Sequence, residues 1–181
     1  MTIAQCFVLA AIVVTGIGAW TDWRTGHIPN WLTLGSLALA PVAYFVVAVL
    51  TGQPPIEAVG YSLLSACVVG LVPLLLYRWG AIYGGDVKLM AAMGAILANL
   101  RLGVEAQLFA FVAGGAFAVG TLAYRGKLMG MLGNSLRLLT NPLIPKHKRR
   151  EVTPEMMTEL RFGPAIFAGM LGAAWMQWRP L

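Results

Sequence analysis

The sequence predicts an all-α, polytopic membrane protein with about six transmembrane helices, and three observations carry that prediction. The 181 residues are 59% hydrophobic and only 11% charged, against roughly 25% charged in soluble domains. The apolar residues fall into runs of about 20, the length needed to cross a hydrocarbon core of roughly 30 Å. The basic residues collect between those runs, where positive-inside loops hold them. A net charge of +6 distributed in this way argues for a membrane surface and against nucleic acid. One membrane-embedded domain over residues 1–181 is expected, with a basic cytoplasmic or interfacial loop at about 125–162.

Each predicted element follows from its own residues. Span one runs from about Ile3 to Trp20. No Lys or Arg precedes it in Met1–Gln5, so it lacks the basic start of a cleavable signal and is expected to remain. Thr21 to Asn30 form a short polar loop in which Pro29 blocks helix and Asn30 is the expected N-cap of span two, about Trp31 to Leu50. After the turn Thr51–Pro55, span three covers about Ala58 to Tyr77, with Pro73 as a kink that neighbouring helices tolerate. A fourth helix is expected from Val87 to about Leu100, which at 1.5 Å per residue reaches only about 21 Å. Span five is placed at about Leu108 to Tyr124, and a last span at about Gly163 to Trp178.

Eight of the thirteen basic residues lie between Arg125 and Arg161. Leu128, Leu132, Leu136 and Leu139 recur there at helical spacing, as in a helix lying on anionic lipid. Thr153-Pro154 is the expected opening of a short helix to about Leu160. Cys6 and Cys67 lack the paired spacing of a metal knuckle and read as small buried hydrophobes. No metal or cofactor is expected, since neither His27 nor His147 has a partner at ligand spacing. The six tryptophans flank spans as an aromatic belt does. Gly16, Gly18, Gly114 and Gly115 suit close helix packing.

Counting Lys and Arg on each side gives eleven against two, which puts both chain ends outside and the loops carrying Asp22 and Asp86 in the cytoplasm. These are the chain's two aspartates. A carboxylate at membrane depth is costly and marks function by default. Asp86 follows Gly84 and Gly85, glycines that suit a loop packed against helices or a substrate chain.

Two carboxyl groups brought together at the edge of a low-dielectric region share one proton. Such a pair hydrolyses amides without metal or covalent intermediate: the ionised member activates water and the protonated member donates to the carbonyl oxygen. The simpler role for each aspartate is to cap or end its helix. With Asp86 at a helix N-terminus and Asp22 after a helix C-terminus, the macrodipoles make Asp86 the expected base. Lys88 either supports that ionised form or snorkels to the interface, and Arg24 either pairs with an aspartate or anchors its loop.

Asp22-Trp23-Arg24 followed by Ile28-Pro29-Asn30, with Gly85-Asp86-Val87-Lys88-Leu89, resembles the two signature regions of the prepilin peptidases, a family of intramembrane aspartyl proteases. Arg161-Phe162-Gly163-Pro164-Ala165 also resembles a family feature. The resemblance implies cleavage of the short basic leader of type IV pilin-like precursors on the cytoplasmic side of a prokaryotic inner membrane. Asp22 and Asp86 would be the catalytic pair, with Gly84, Gly85, Lys88, Arg24, Pro29 and Asn30 around them. The implied partners are the prepilin, through its leader and apolar N-terminal helix, membrane lipid, and the pilus assembly machinery. The small size resembles the short branch serving tight-adherence (Flp) pili. The family pattern often has glycine where this chain has Tyr83. The paired cysteines of the longer, methylating members have no counterpart, so peptidase activity alone is expected. Two other classes compete: a proton or cation transporter using the same aspartates, and a non-catalytic subunit of a pilus or secretion machine.

Overall fold

A short helix stands at the centre of the architecture, and its neighbours supply what its length cannot. The computed structural model describes residues 2–124 and 161–178, and every regular element among them is an α-helix: α1 (Ile3–Thr25), α2 (Asn30–Thr51), α3 (Pro55–Arg78), α4 (Gly84–Leu97), α5 (Leu100–Tyr124) and α6 (Gly163–Trp178). The chain divides into two compact units, Met1–Gly114 with Arg161–Leu181, and Gly115–Leu160. The first contains both aspartates. The predicted interfacial helix over Leu128–Leu139, the short helix before Leu160 and most of the basic loop lie outside the described residues.

Among the described residues, four helices are long and apolar enough to cross a membrane: Ile3–Thr25, Asn30–Thr51, Pro55–Arg78 and, within α5, Leu100–Thr121. Their outer faces carry large apolar side chains such as Val13, Leu39, Val42, Leu50, Leu71 and Val112, all exposed, as a lipid-facing surface requires. The prediction of a polytopic all-α membrane protein holds. Cys6 and Cys67 do not lie in the interior; both are exposed. In lipid the outside of a bundle is as apolar as the inside, so an apolar neighbourhood in the sequence does not mark the core.

Element boundaries differ from the sequence expectation where local capping decides them. Helix α1 continues past Trp20 to Thr25 and stops at Gly26, whose φ of +67° lets its N–H reach the Asp22 carbonyl at 2.8 Å. Pro29, not Asn30, is the N-cap of α2, and Asn30 is already helical. Pro55 opens α3, which runs unbroken through Pro73. Helix α5 begins at Leu100 rather than Leu108, because the Asn99 side chain caps it by accepting the Leu102 N–H at 3.1 Å. Arg101 and Glu105, which look like loop residues, pair one turn apart on that helix at 2.8 Å.

Helix α4 has 14 residues, nine of them buried, and Leu89, Met90 and Met93 are wholly enclosed. It packs against α1, α2 and α3 and touches α6. A helix apolar all round belongs inside a bundle. At about 21 Å it ends before a membrane would, so its last four carbonyls need partners. They have them. The Ala98 N–H donates to the Gly94 carbonyl at 3.1 Å, and the Ser62 hydroxyl of α3 donates to that of Ala95 at 2.8 Å. The Tyr44 hydroxyl of α2 reaches the carbonyls of Ile96 at 2.9 Å and Leu97 at 3.1 Å. Phe7 of α1 stacks on the Tyr44 ring with centroids 4.0 Å apart, holding the phenol over that helix end.

Candidate active site

The buried face of α1 is a stripe of Val8, Ala11, Thr15, Gly18 and Asp22, spaced three and four residues apart. Asp22 therefore lies on the helix and on its inward face, not in the following loop. On α4 the matching face begins with Asp86 and continues through Leu89, Met90 and Met93. The two stripes meet where Gly18 faces Leu89: a Cβ on Gly18 would come within 2.8 Å of a Leu89 methyl. One turn above that contact on each helix stand Asp22 and Asp86, 7% and 3% exposed, close enough to interact electrostatically.

Each carboxyl group has a backbone partner. Asp86 accepts the N–H of Tyr83, the N-cap of its own helix, at 3.2 Å, so the capping role is real. Asp22 Oδ2 accepts the Gly163 N–H at 2.9 Å, a donor at the first residue of α6. That contact changes the expected electrostatics, because Asp22 sits near the negative end of α1 yet directly on the positive end of α6. Arg161 adds a positive charge beside Asp22, and its guanidinium donates to the Trp23 carbonyl at the end of α1.

The other predicted site residues are distributed around this pair. Gly84 and Gly85 are the first residues of α4, not a loop, and neither has positive φ. What Gly85 provides is closeness: a Cβ there would stand 3.3 Å from Ile28, the buried residue of the α1–α2 connection. Pro29 caps α2 from that same connection. Lys88 donates to Asn30 Oδ1 at 2.9 Å and so ties α4 to the start of α2. Arg24 lies over the Trp20 ring, 4.7 Å from its centroid, and among the described residues it makes no ion pair with either aspartate. No three of His, Cys, Asp or Glu come together among the described residues. Gly163 and Arg161 are not among the site residues the sequence points to, although their stretch resembles a family feature; the Gly163–Asp22 contact joins positions 141 apart in sequence.

A family comparison matches residues 7–119 to the model of the type IV leader peptidase family, a stretch holding all but the first turn of α1, the whole of α2 to α4 and both aspartates. The chain belongs to the type IV leader peptidase family. Neither curated proteins nor solved structures give a match to it. Membership makes this a peptidase of the prepilin-processing kind, with a prepilin as its general class of substrate. The matched segment contains the Asp22 and Asp86 regions, whereas Arg161 and Gly163, which complete the surroundings of Asp22, lie beyond it.

Proposed function

We propose that this protein is an aspartic endopeptidase that removes the basic leader of type IV prepilins, with Asp22 and Asp86 as its catalytic pair. The observation that carries the reading is that the chain's two aspartates, 64 positions apart in sequence, are both buried at one end of one bundle and near enough to interact. Burying two acids side by side costs stability, and a fold that bears that cost points to their use.

In this mechanism the pair holds one proton. The ionised carboxylate takes a proton from a water as its oxygen attacks the scissile carbonyl carbon, while the protonated partner donates to the carbonyl oxygen. Collapse of the tetrahedral carbon breaks the C–N bond, and the proton taken from water goes to the leaving nitrogen. The apolar exterior beside the site suits the hydrophobic helix that follows a prepilin leader, which reaches the dyad from the lipid. The reading places the enzyme in a prokaryotic inner membrane as a single membrane-embedded domain, both chain ends outside and the dyad at the cytoplasmic face. Flp-type prepilins are the finer substrate assignment, with the pilus assembly machinery as neighbour.

The test is incubation of the purified protein in detergent with candidate prepilins and location of the cut by mass spectrometry. A single cut between leader and apolar helix, lost in Asp22→Asn and in Asp86→Asn, supports the reading. Cleavage that survives both substitutions removes the dyad from it. Pilus assembly that proceeds normally with both variants, without processing, identifies a non-catalytic subunit instead.

A further inference from the structure

We propose that Gly163 is the positioning residue of the dyad: its N–H holds the Asp22 carboxylate ionised and aimed, so that Asp22 is the base and Asp86 the proton donor. This rests on the dyad reading above and reverses the assignment that macrodipoles alone suggest. Three observations at the start of α6 carry it. First, Gly163 is the free donor of that turn. Pro164 has no N–H, while those of Ala165 and Ile166 are bound to the Phe162 carbonyl at 3.0 and 3.1 Å; the Gly163 N–H goes to Asp22 Oδ2 at 2.9 Å.

Second, no other residue fits. A Cβ at position 163 would lie 2.8 Å from the Asp22 Cβ, 2.9 Å from its Oδ2 and 3.1 Å from its Cγ. Glycine is required because the carboxyl occupies the space of a side chain, and Gly163 is not among the residues of positive φ. Third, the surrounding charges agree. Among the described residues, the charged groups facing Asp22 are Asp86 from α4 and Arg161 from the approach to α6. Arg24 on its own helix turns to Trp20 and Lys88 turns to Asn30. Each carboxyl has one backbone donor and stands at a helix N-terminus, and these favour the anion on both; what separates them is the Arg161 charge beside Asp22 and the deeper burial of Asp86.

The proton cycle closes with these roles. Asp22 takes a proton from water and later passes it to the leaving nitrogen; Asp86 gives its proton to the carbonyl oxygen and recovers it as the new carboxyl forms.

Because the chain has two aspartates, carboxyl-¹³C-aspartate labelling yields two titrating signals, assigned with Asp86→Asn. In the wild-type protein the Asp22 signal is expected to titrate at the lower pH. Gly163→Ala is expected to move it upward and carry the acidic limb of the kcat profile with it. Cleavage of a synthetic prepilin segment at neutral pH should fall about 10- to 100-fold in kcat, with KM within about twofold. Gly16→Ala, which puts a methyl against Phe167 at 3.2 Å in the same α1–α6 contact, is expected to move neither signal nor limb. An Asp86 signal that titrates first in the wild type overturns the assignment, whether or not Gly163→Ala folds. So does a folded Gly163→Ala protein whose acidic limb stays in place. The titration order is read without substrate, so its failure is distinct from that of the dyad, which the Asp→Asn variants report.

Discussion

At the scale of single residues, the two aspartates differ from every other acid of the described chain in being buried, and burial without a compensating ion pair is what makes them diagnostic. Replacing either by Asn keeps shape and hydrogen-bond capacity while removing the proton exchange. Asp22→Asn and Asp86→Asn are each expected to lower processing roughly 10²–10⁴-fold without lowering the melting temperature in detergent; a variant that melts early would assign the carboxylate to the fold. Arg24 separates position from proximity. It is two residues from Asp22 in sequence but spends its guanidinium on Trp20, an exposed contact worth about 0.5–1 kcal/mol. Arg24→Gln is therefore expected to retain processing within about twofold, measured in the same cleavage reaction. The aspartates were legible in the sequence because acids are rare in apolar surroundings. Gly163 was not, because its meaning lies in a contact 141 positions away, and Asn30 was misread as a cap because the residue it serves, Lys88, is 58 positions away.

At the scale of elements, α4 poses the main physical problem: a 14-residue helix that ends inside the bundle exposes four carbonyls to a medium without water. Tyr44 of α2 resolves two of them with one hydroxyl. Tyr44→Phe retains the ring that stacks on Phe7 and removes only the donor, so two carbonyls lose their partner at a cost of about 1–3 kcal/mol. The expected result is a lowered melting temperature in detergent with residual activity per folded molecule unchanged, because the far end of α4 from Asp86 is affected. Gly18 is the opposite case. A leucine there would collide with Leu89, which already fills the space of a Cβ, and overpacking of this kind costs about 1–3 kcal/mol. Since the contact lies one turn from both aspartates, Gly18→Leu is expected to lose processing more steeply than stability, a difference visible by comparing cleavage rate with melting temperature. Helix existence and order were readable from apolar run length. The start of α5 was not, because Arg101 and Glu105 have loop-like composition and become helical by pairing with each other beside the Asn99 cap.

At the scale of the whole molecule, the described contacts sort the ends of the helices, and that sorting gives the topology a test. Asp22 touches Gly163, Lys88 touches Asn30, and Arg161 touches Trp23. The C-terminal end of α1 and the N-terminal ends of α2, α4 and α6 therefore share one end, along with Arg24, Lys88 and Arg161. Tyr44 and Ser62 bind the last turn of α4 at the other, the end where Glu57 opens α3 and Arg101 pairs with Glu105. Among the described residues the basic side chains gather on the end that carries the two aspartates and mixed charge on the opposite one, so the positive-inside rule predicts a cytoplasmic position for the first. In a background with Cys6→Ala and Cys67→Ala, single cysteines at His27 and Ala81 are expected to resist a membrane-impermeant maleimide in intact cells and to react once the inner membrane is opened. Cysteines at Gln53 and Asn99 are expected to react from outside without opening it. The reverse labelling pattern would turn the molecule over and put the dyad on the wrong side for a precursor whose basic leader is held in the cytoplasm by the same charge rule. The orientation of the enzyme and that of its substrate thus rest on one electrostatic asymmetry, and a labelling experiment on four positions tests both.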